Sequence, residues 1–134
     1  MEVLLVDDQP VTIQVFAASV RRTFGGARVH TAVDLDEALQ IASGRRLDLV
    51  LLDLGLPTCT GIEALQRFLE AYPRVPVLVV SANSDKERIL ACLHAGARGY
   101  ITKTSALMGL PVAMQAVMEG GRYVPPQAQS PDLH

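Results

Sequence analysis

Leu47-Asp48-Leu49-Val50-Leu51-Leu52-Asp53-Leu54-Gly55-Leu56-Pro57 is the stretch that decides the fold. Leu49 to Leu52 carry no polar face, so a strand here is covered on both sides, and it stops at a carboxylate followed by the turn residues Gly55 and Pro57. The same grammar recurs outward in both directions. Toward the start, Val3 to Val6 ends at Asp7-Asp8, and Val29 to Ala32 repeats the run with His30 and Thr31 inside it. Toward the end, Val75 to Val80 is followed by Ser81-Ala82-Asn83, and a weaker run, Gly99 to Thr102, by Lys103.

Between these runs the apolar residues change period from two to three or four. Ile13, Phe16, Val20 and Phe24 are so spaced, as are Leu35, Ala38, Leu39 and Ala42, then Ile62, Leu65, Leu69 and Tyr72, then Ile89, Leu93 and Ala97. Asp34 with Glu37, and Ser84 with Glu87, have capping-box spacing, while Gly25-Gly26, Gly44 and Gly96 stand where helices should stop. Five strands alternating with helices imply an α/β fold, a doubly wound parallel sheet with helices on both faces and right-handed crossovers.

Composition agrees and excludes other classes. The chain has 134 residues, 49% hydrophobic, 19% charged and 4% aromatic, enough for one aliphatic core and too ordered in pattern for a low-complexity chain. A net charge of -2 argues against a nucleic-acid-binding domain. Cys59 and Cys92 lack metal-ligand spacing and disulfide density, so they read as free thiols; Cys59 is taken as incidental and Cys92 as core. The start has no signal-peptide pattern and no apolar run spans a bilayer, so the expectation is a cytoplasmic protein with no membrane contact.

In a doubly wound sheet, ligands sit beyond the carboxyl ends of the strands, where strand order reverses. The residues there are Asp7, Asp8, Asp53, Ser81 and Lys103. Carboxylates brought together repel: two unit charges ~5 Å apart at an effective dielectric of ~20 cost about 3 kcal/mol. A divalent cation relieves that, and all-oxygen ligands with no His or Cys select Mg²⁺, with Mn²⁺ as an alternative and Ca²⁺ a weaker one. Mg²⁺ takes few carboxylates and keeps waters or phosphate oxygens, which points to phosphoryl transfer. Lys103 is one of only two lysines in a chain that otherwise uses Arg, and a compact ammonium can contact both carboxylate and phosphoryl oxygens. No glycine-rich phosphate loop follows any strand, so an Asp side chain is a better phosphoryl acceptor than a bound nucleotide is a ligand.

Val6-Asp7-Asp8, Leu52-Asp53-Leu54-Gly55-Leu56-Pro57 with Gly61, Val80-Ser81-Ala82 and Gly99-Tyr100-Ile101-Thr102-Lys103, in this order and spacing, resemble the receiver domain of bacterial two-component response regulators. The resemblance covers Val3 to about Tyr123. Gly120-Gly121-Arg122-Tyr123-Val124-Pro125-Pro126 makes it most similar to the NarL/LuxR-type subfamily. It implies a flavodoxin-like sheet of strand order 2-1-3-4-5 with five helices. Asp53 would be the phosphoacceptor, served by a sensor histidine kinase or a small phosphodonor. Asp7, Asp8, Asp53 and the Gly55 carbonyl would hold Mg²⁺, and Lys103, the Ser81 hydroxyl and the Ala82 N–H would hold the phosphoryl oxygens. Ser81 and Tyr100 would form the switch, Ser81 moving toward the phosphate and Tyr100 turning into the space it leaves. Asn83 and Gly55 flank the site as candidates to tune the phosphate's lifetime.

The resemblance further implies a signalling switch, not a turnover enzyme, although one that promotes its own phosphorylation and dephosphorylation. Self-association is expected through the fourth helix, fifth strand and fifth helix, or through the first and fifth helices. Residues 1–123 would form the receiver and 124–134 the start of a linker. A DNA-binding output domain, absent from this chain, would follow it and control transcription; the alternative is a stand-alone receiver acting by protein contact. A haloacid-dehalogenase-like hydrolase would want an Asp at Gly55, and a flavin phosphate would be repelled by Asp7 and Asp8.

Departures are concentrated late in the chain. Thr104 replaces the Pro that many receivers carry after the lysine, and Gly109 and Pro111 stand in the last helical segment. Pro suits a first turn and damages a helix interior. The reading is a fifth helix that begins near Pro111 and runs to Glu119, with Ser105 to Leu110 irregular, or one kinked at Pro111. Met108, Met114 and Met118 are either core filling or a soft contact surface.

Overall fold

The structure is a computed structural model describing residues 1–59 and 61–129. Strands β1 (Glu2–Val6), β2 (Arg28–Ala32), β3 (Leu49–Leu52), β4 (Val77–Ser81) and β5 (Gly99–Thr102) alternate with helices α1 (Pro10–Thr23), α2 (Leu35–Ser43), α3 (Ile62–Ala71), α4 (Lys86–Ala95) and α5 (Lys103–Met118). All strand pairs are parallel, in the order β2-β1-β3-β4-β5, as expected. Strand order therefore reverses between β1 and β3, whose next residues are Asp7 and Asp53.

The pleat divides the apolar residues into two cores. Leu4, Val6, Val50, Leu52, Val77 and Val79 face α2, α3 and α4, while Val3, Leu5, Leu49, Leu51, Leu78 and Val80 face α1 and α5. Every residue of β3 and β4 is buried, as an unbroken apolar run requires of a two-sided sheet.

Local start and stop signals hold unevenly. Asp34 caps α2 by accepting from the Glu37 N–H at 2.8 Å, and the Glu37 carboxylate accepts from the Val33 N–H at 2.7 Å. Gly96 ends α4 in the left-handed region at φ 117°. The capping box expected at Ser84 does not form: α4 is preceded by Asp85, and the Asn83 side chain takes the Asp85 N–H at 2.7 Å instead.

The shortened fifth helix is overturned. α5 begins at Lys103, and Ser105 to Leu110 are helical with Pro111 inside. Thr102 supplies the start, its hydroxyl accepting from the Ser105 N–H at 3.3 Å. An interior proline costs about 3 kcal/mol. Burial of Leu110, Met114 and Val117 against the sheet, at about 1.5–3 kcal/mol each, exceeds that. Proline also leaves the Leu107 carbonyl without its helical donor, and Leu107 lies on the exposed side, where water can replace it. Of the methionines, Met114 is core, Met118 is partly buried, and Met108 is exposed.

Residues 124–129 do not leave the domain as a linker would. Tyr123 forms a parallel bridge with Gly99, its N–H donating to the Arg98 carbonyl and its carbonyl accepting from the Tyr100 N–H. The approach is close enough to require Gly99: a Cβ there would lie 2.9 Å from Leu78 and 3.1 Å from the Tyr123 Cβ. A 3₁₀ turn, Pro126–Ala128, follows, with Pro125 and Ala128 buried. The rest of the expected linker, residues 130–134, lies outside the described residues.

Candidate functional site

Each acid is placed by the strand before it. The Asp7 N–H continues the ladder to the Ala32 carbonyl at 2.9 Å, and the Asp53 N–H reaches the Val6 carbonyl at 3.0 Å. Both residues are buried, at 2% and 5% exposure, whereas Asp8 is exposed. One carboxylate oxygen from each of Asp7, Asp8 and Asp53 lies within 4.8 Å of the others. Three oxygen ligands at this separation have the chemistry of a hard divalent cation site.

Lys103 enters from the first turn of α5. Its Nζ stands 3.0 Å from Asp7 Oδ2, 3.2 Å from Asp53 Oδ2 and 3.2 Å from Gln9 Oε1. Three acceptors match the three ammonium protons. The second oxygens are held by the backbone: the Gln9 N–H donates to Asp7 Oδ1 at 2.9 Å and the Gly55 N–H to Asp53 Oδ1 at 3.0 Å. The aspartates therefore have little freedom to turn.

The protonation balance follows from burial. Burial raises the Asp7 carboxyl above its ordinary value; the Gln9 N–H and Lys103 work against the rise and Asp53 adds to it. For Lys103 burial pulls downward, but Asp7 and Asp53 together outweigh it and the net shift is upward. The ammonium is thus secured as a cation among carboxylates.

At the neighbouring strand ends, Ser81 is buried and accepts from the Asn83 N–H at 3.2 Å, while Ala82 is exposed. Tyr100 is fully buried, and its hydroxyl donates to the Asn83 carbonyl at 2.6 Å. Burial raises the Tyr100 phenol, with the Ser81 hydroxyl working against the rise. Cys59 and Cys92 are both buried, and burial pushes the Cys92 thiol up to about 11. Neither is a reactive thiol by environment.

Gln9 has a place in the site that its sequence position did not announce. Its backbone holds Asp7 and its side chain holds Lys103. The available signal was Pro10, which as the first residue of α1 makes Gln9 the N-cap and turns its N–H inward.

A doubly wound sheet in this strand order, with an acidic pocket at its reversal point and a lysine closing it, defines the receiver class of domain. Comparison with known families agrees: the model of the response regulator receiver domain matches residues 3–115, and the chain belongs to that family. Its homologues are regulators of the LuxR/NarL kind. The chain is 30% identical to a LuxR-family two-component response regulator from Aurantimonas sp. SI85-9A1, whose structure superposes with a TM-score of 0.86 over 95% of this chain and 91% of that one. It is 34% identical over 126 residues to the glycerol metabolism activator of Pseudomonas putida, covering 93% of this chain and 57% of the activator. Response regulator GacA of Pseudomonas syringae pv. syringae is 31% identical over 127 residues, 95% of this chain and 59% of GacA. The chain spans about half the length of the curated relatives it matches. Among the described residues, no helix is long and apolar enough to cross a membrane.

Proposed function

We propose that this domain is a phosphorylation-dependent switch in which Asp53 accepts a phosphoryl group from a histidine kinase. The observation that carries the reading is the shared ammonium: Lys103 bridges Asp7 and Asp53 at 3.0 and 3.2 Å in a pocket with a third acid beside it. An Asp53 carboxylate oxygen would attack the phosphorus of a phosphohistidine; the P–N bond would break, its electron pair would stay on the imidazole, and an acyl phosphate would result. Asp7, Asp8, Asp53 and the Gly55 carbonyl would hold Mg²⁺, or Mn²⁺ in its place. The ion would supply charge neutralisation on the transferring oxygens. Lys103, the Ser81 hydroxyl and the Ala82 N–H would take the phosphoryl oxygens.

The domain promotes its own phosphorylation and its own dephosphorylation, in which water takes the phosphoryl group off Asp53 as inorganic phosphate; the phosphorylated state is the signal, so it is a signalling element and not a turnover enzyme. The added charge of roughly -1.5 to -2 would draw Ser81 toward it and bias the contacts among Ser81, Asn83 and Tyr100. The relatives' names and the half-length match favour transcription as output, through a DNA-binding domain beyond this chain, in the cytoplasm; protein contact alone is the other reading. Of the two faces for self-association, exposed Val11, Val15, Leu107, Met108 and Val112 favour α1 and α5 over α4, β5 and α5.

Incubation with acetyl phosphate and Mg²⁺ followed by intact-mass measurement tests the reading. One added phosphoryl group, absent from Asp53→Asn and dependent on the metal, is expected. An unmodified mass under these conditions, or an adduct that survives in Asp53→Asn, would overturn it.

A further inference from the structure

Charge at several helix ends is sorted by strand direction. Every helix begins beyond the carboxyl ends of the strands and finishes near their amino ends, so helix-end electrostatics favour acids at one end and bases at the other, a pattern that α5, which starts at Lys103, does not follow. Asp36, Glu37, Glu63 and Glu87 lie in first turns, and Arg21 and Arg22 lie in the last turn of α1. Arg45 fits the same rule, its guanidinium donating to the Ile41 carbonyl at 3.3 Å near the end of α2.

Arg46 and Arg74 are not explained in this way. Arg46 stands three residues beyond the end of α2 and Arg74 three beyond the end of α3, outside the turn over which a helix end acts. Both are exposed, and among the described residues neither has a hydrogen-bond or ion-pair partner. They come from different connections, yet they line one cleft of about 570 Å³ before β3 and β4, a size in the range of small-molecule sites. Arg45 is on the same wall. Asp48 lines the cleft too, but its Oδ2 accepts from the Glu2 N–H at 2.7 Å. Val75 and Pro76 give the cleft an apolar edge.

Three guanidiniums against one engaged carboxylate leave two positive charges uncompensated. Such forks match the geometry of phosphate oxygens, and several in one cleft match a run of phosphates better than a single anion. We infer that the cleft formed by Arg45, Arg46 and Arg74 binds a compact oligophosphate anion, whether inorganic or carried by a nucleotide. The site lies at the opposite end of the sheet from Asp53, so the inference stands apart from the phosphoacceptor reading.

Isothermal titration calorimetry of the unmodified chain with sodium tripolyphosphate, without Mg²⁺ and at an ionic strength of about 0.15 M, tests it. One binding site is expected, weakened on the order of tenfold in Arg46→Gln/Arg74→Gln. Arg21→Gln/Arg22→Gln removes the same charge at the same end of the molecule outside the cleft, and should weaken binding no more than about twofold. Thermal unfolding of both variants checks that they fold. Amide resonances of Arg46, Leu47 and Val75 in the unmodified protein should move on titration while those of Asp53 and Lys103 stay. An ADP arm distinguishes the sources: tighter binding than tripolyphosphate with the same arginine dependence assigns a nucleotide, and weaker binding assigns the inorganic chain. No saturable heat, equal weakening in the two double variants, or resonance changes confined to the Asp53 pocket would overturn the inference.

Discussion

At the carboxyl ends of the strands, charge is buried and engaged: Asp7 and Asp53 are enclosed, one oxygen of each is held by a backbone N–H, and Lys103 serves the other oxygen of both. At the amino ends two charges are exposed and, among the described residues, without a partner, those of Arg46 and Arg74. The difference lies in what each arrangement costs the fold. A buried charge stores free energy that a new proton, metal or phosphoryl group can redirect, because its interactions are weakly screened. An exposed one costs the fold little and acts through attraction.

Breaking the buried ion pairs should have the largest effect on stability. Lys103→Ala leaves two enclosed carboxylates without their cation, and should lower metal-free stability by roughly 3 kcal/mol, read by urea unfolding at neutral pH. Added Mg²⁺ should recover more stability in this variant than in the unmodified protein. Asp7→Asn should act in the opposite direction by a smaller amount. Because folding raises the Asp7 pKa, metal-free stability should fall as pH climbs from the ordinary 3.8 through the raised value, and Asp7→Asn should flatten that part of the curve. The same variant should lose the stabilisation by Mg²⁺. Tyr100→Phe removes one hydrogen bond, to the Asn83 carbonyl, and should cost about 1 kcal/mol. At the amino ends, Arg46→Gln should change stability by less than about 0.5 kcal/mol. A loss there as large as that of Lys103→Ala would erase the contrast between the two ends.

The strands and the site acids were legible because their causes are local. An apolar run that is buried on both faces must look apolar at every position, and an Asp directly after such a run is carried to the sheet's edge whatever the loops do. The doubly wound order supplies the convergence of Asp7, Asp53 and Lys103, and the run boundaries fix their places to within a residue or two. What was misread depends on partners distant in sequence. Pro111 reads locally as a helix breaker, and only the sheet packing of Leu110, Met114 and Val117 shows why the helix continues through it. Pro125 and Gln127 read as linker, yet the backbone of Tyr123 pairs across Gly99 and draws the following residues onto the domain. Ser84 and Asn83 compete for the start of α4, and spacing cannot decide between a hydroxyl and an amide that both reach backbone N–H groups. The resemblance implied a switch role for Tyr100, but its buried position required the packing around it.

The bridge between Tyr123 and Gly99 bears on how the sheet ends. β5 is an edge strand, and an open parallel edge is a template on which another chain can add. Here the chain returns to occupy it, using the Arg98 carbonyl and the Tyr100 N–H that a foreign strand would otherwise claim. The opposite edge, β2, has no such cover among the described residues and carries Arg28 and His30 instead, polar groups that discourage strand addition. The sealing residue lies beyond the 3–115 segment that the family model matches. A receiver trimmed to that segment would keep its acidic pocket and lose the guard on one side of its sheet, so the unit with a covered β5 edge is longer than the unit that the family model matches.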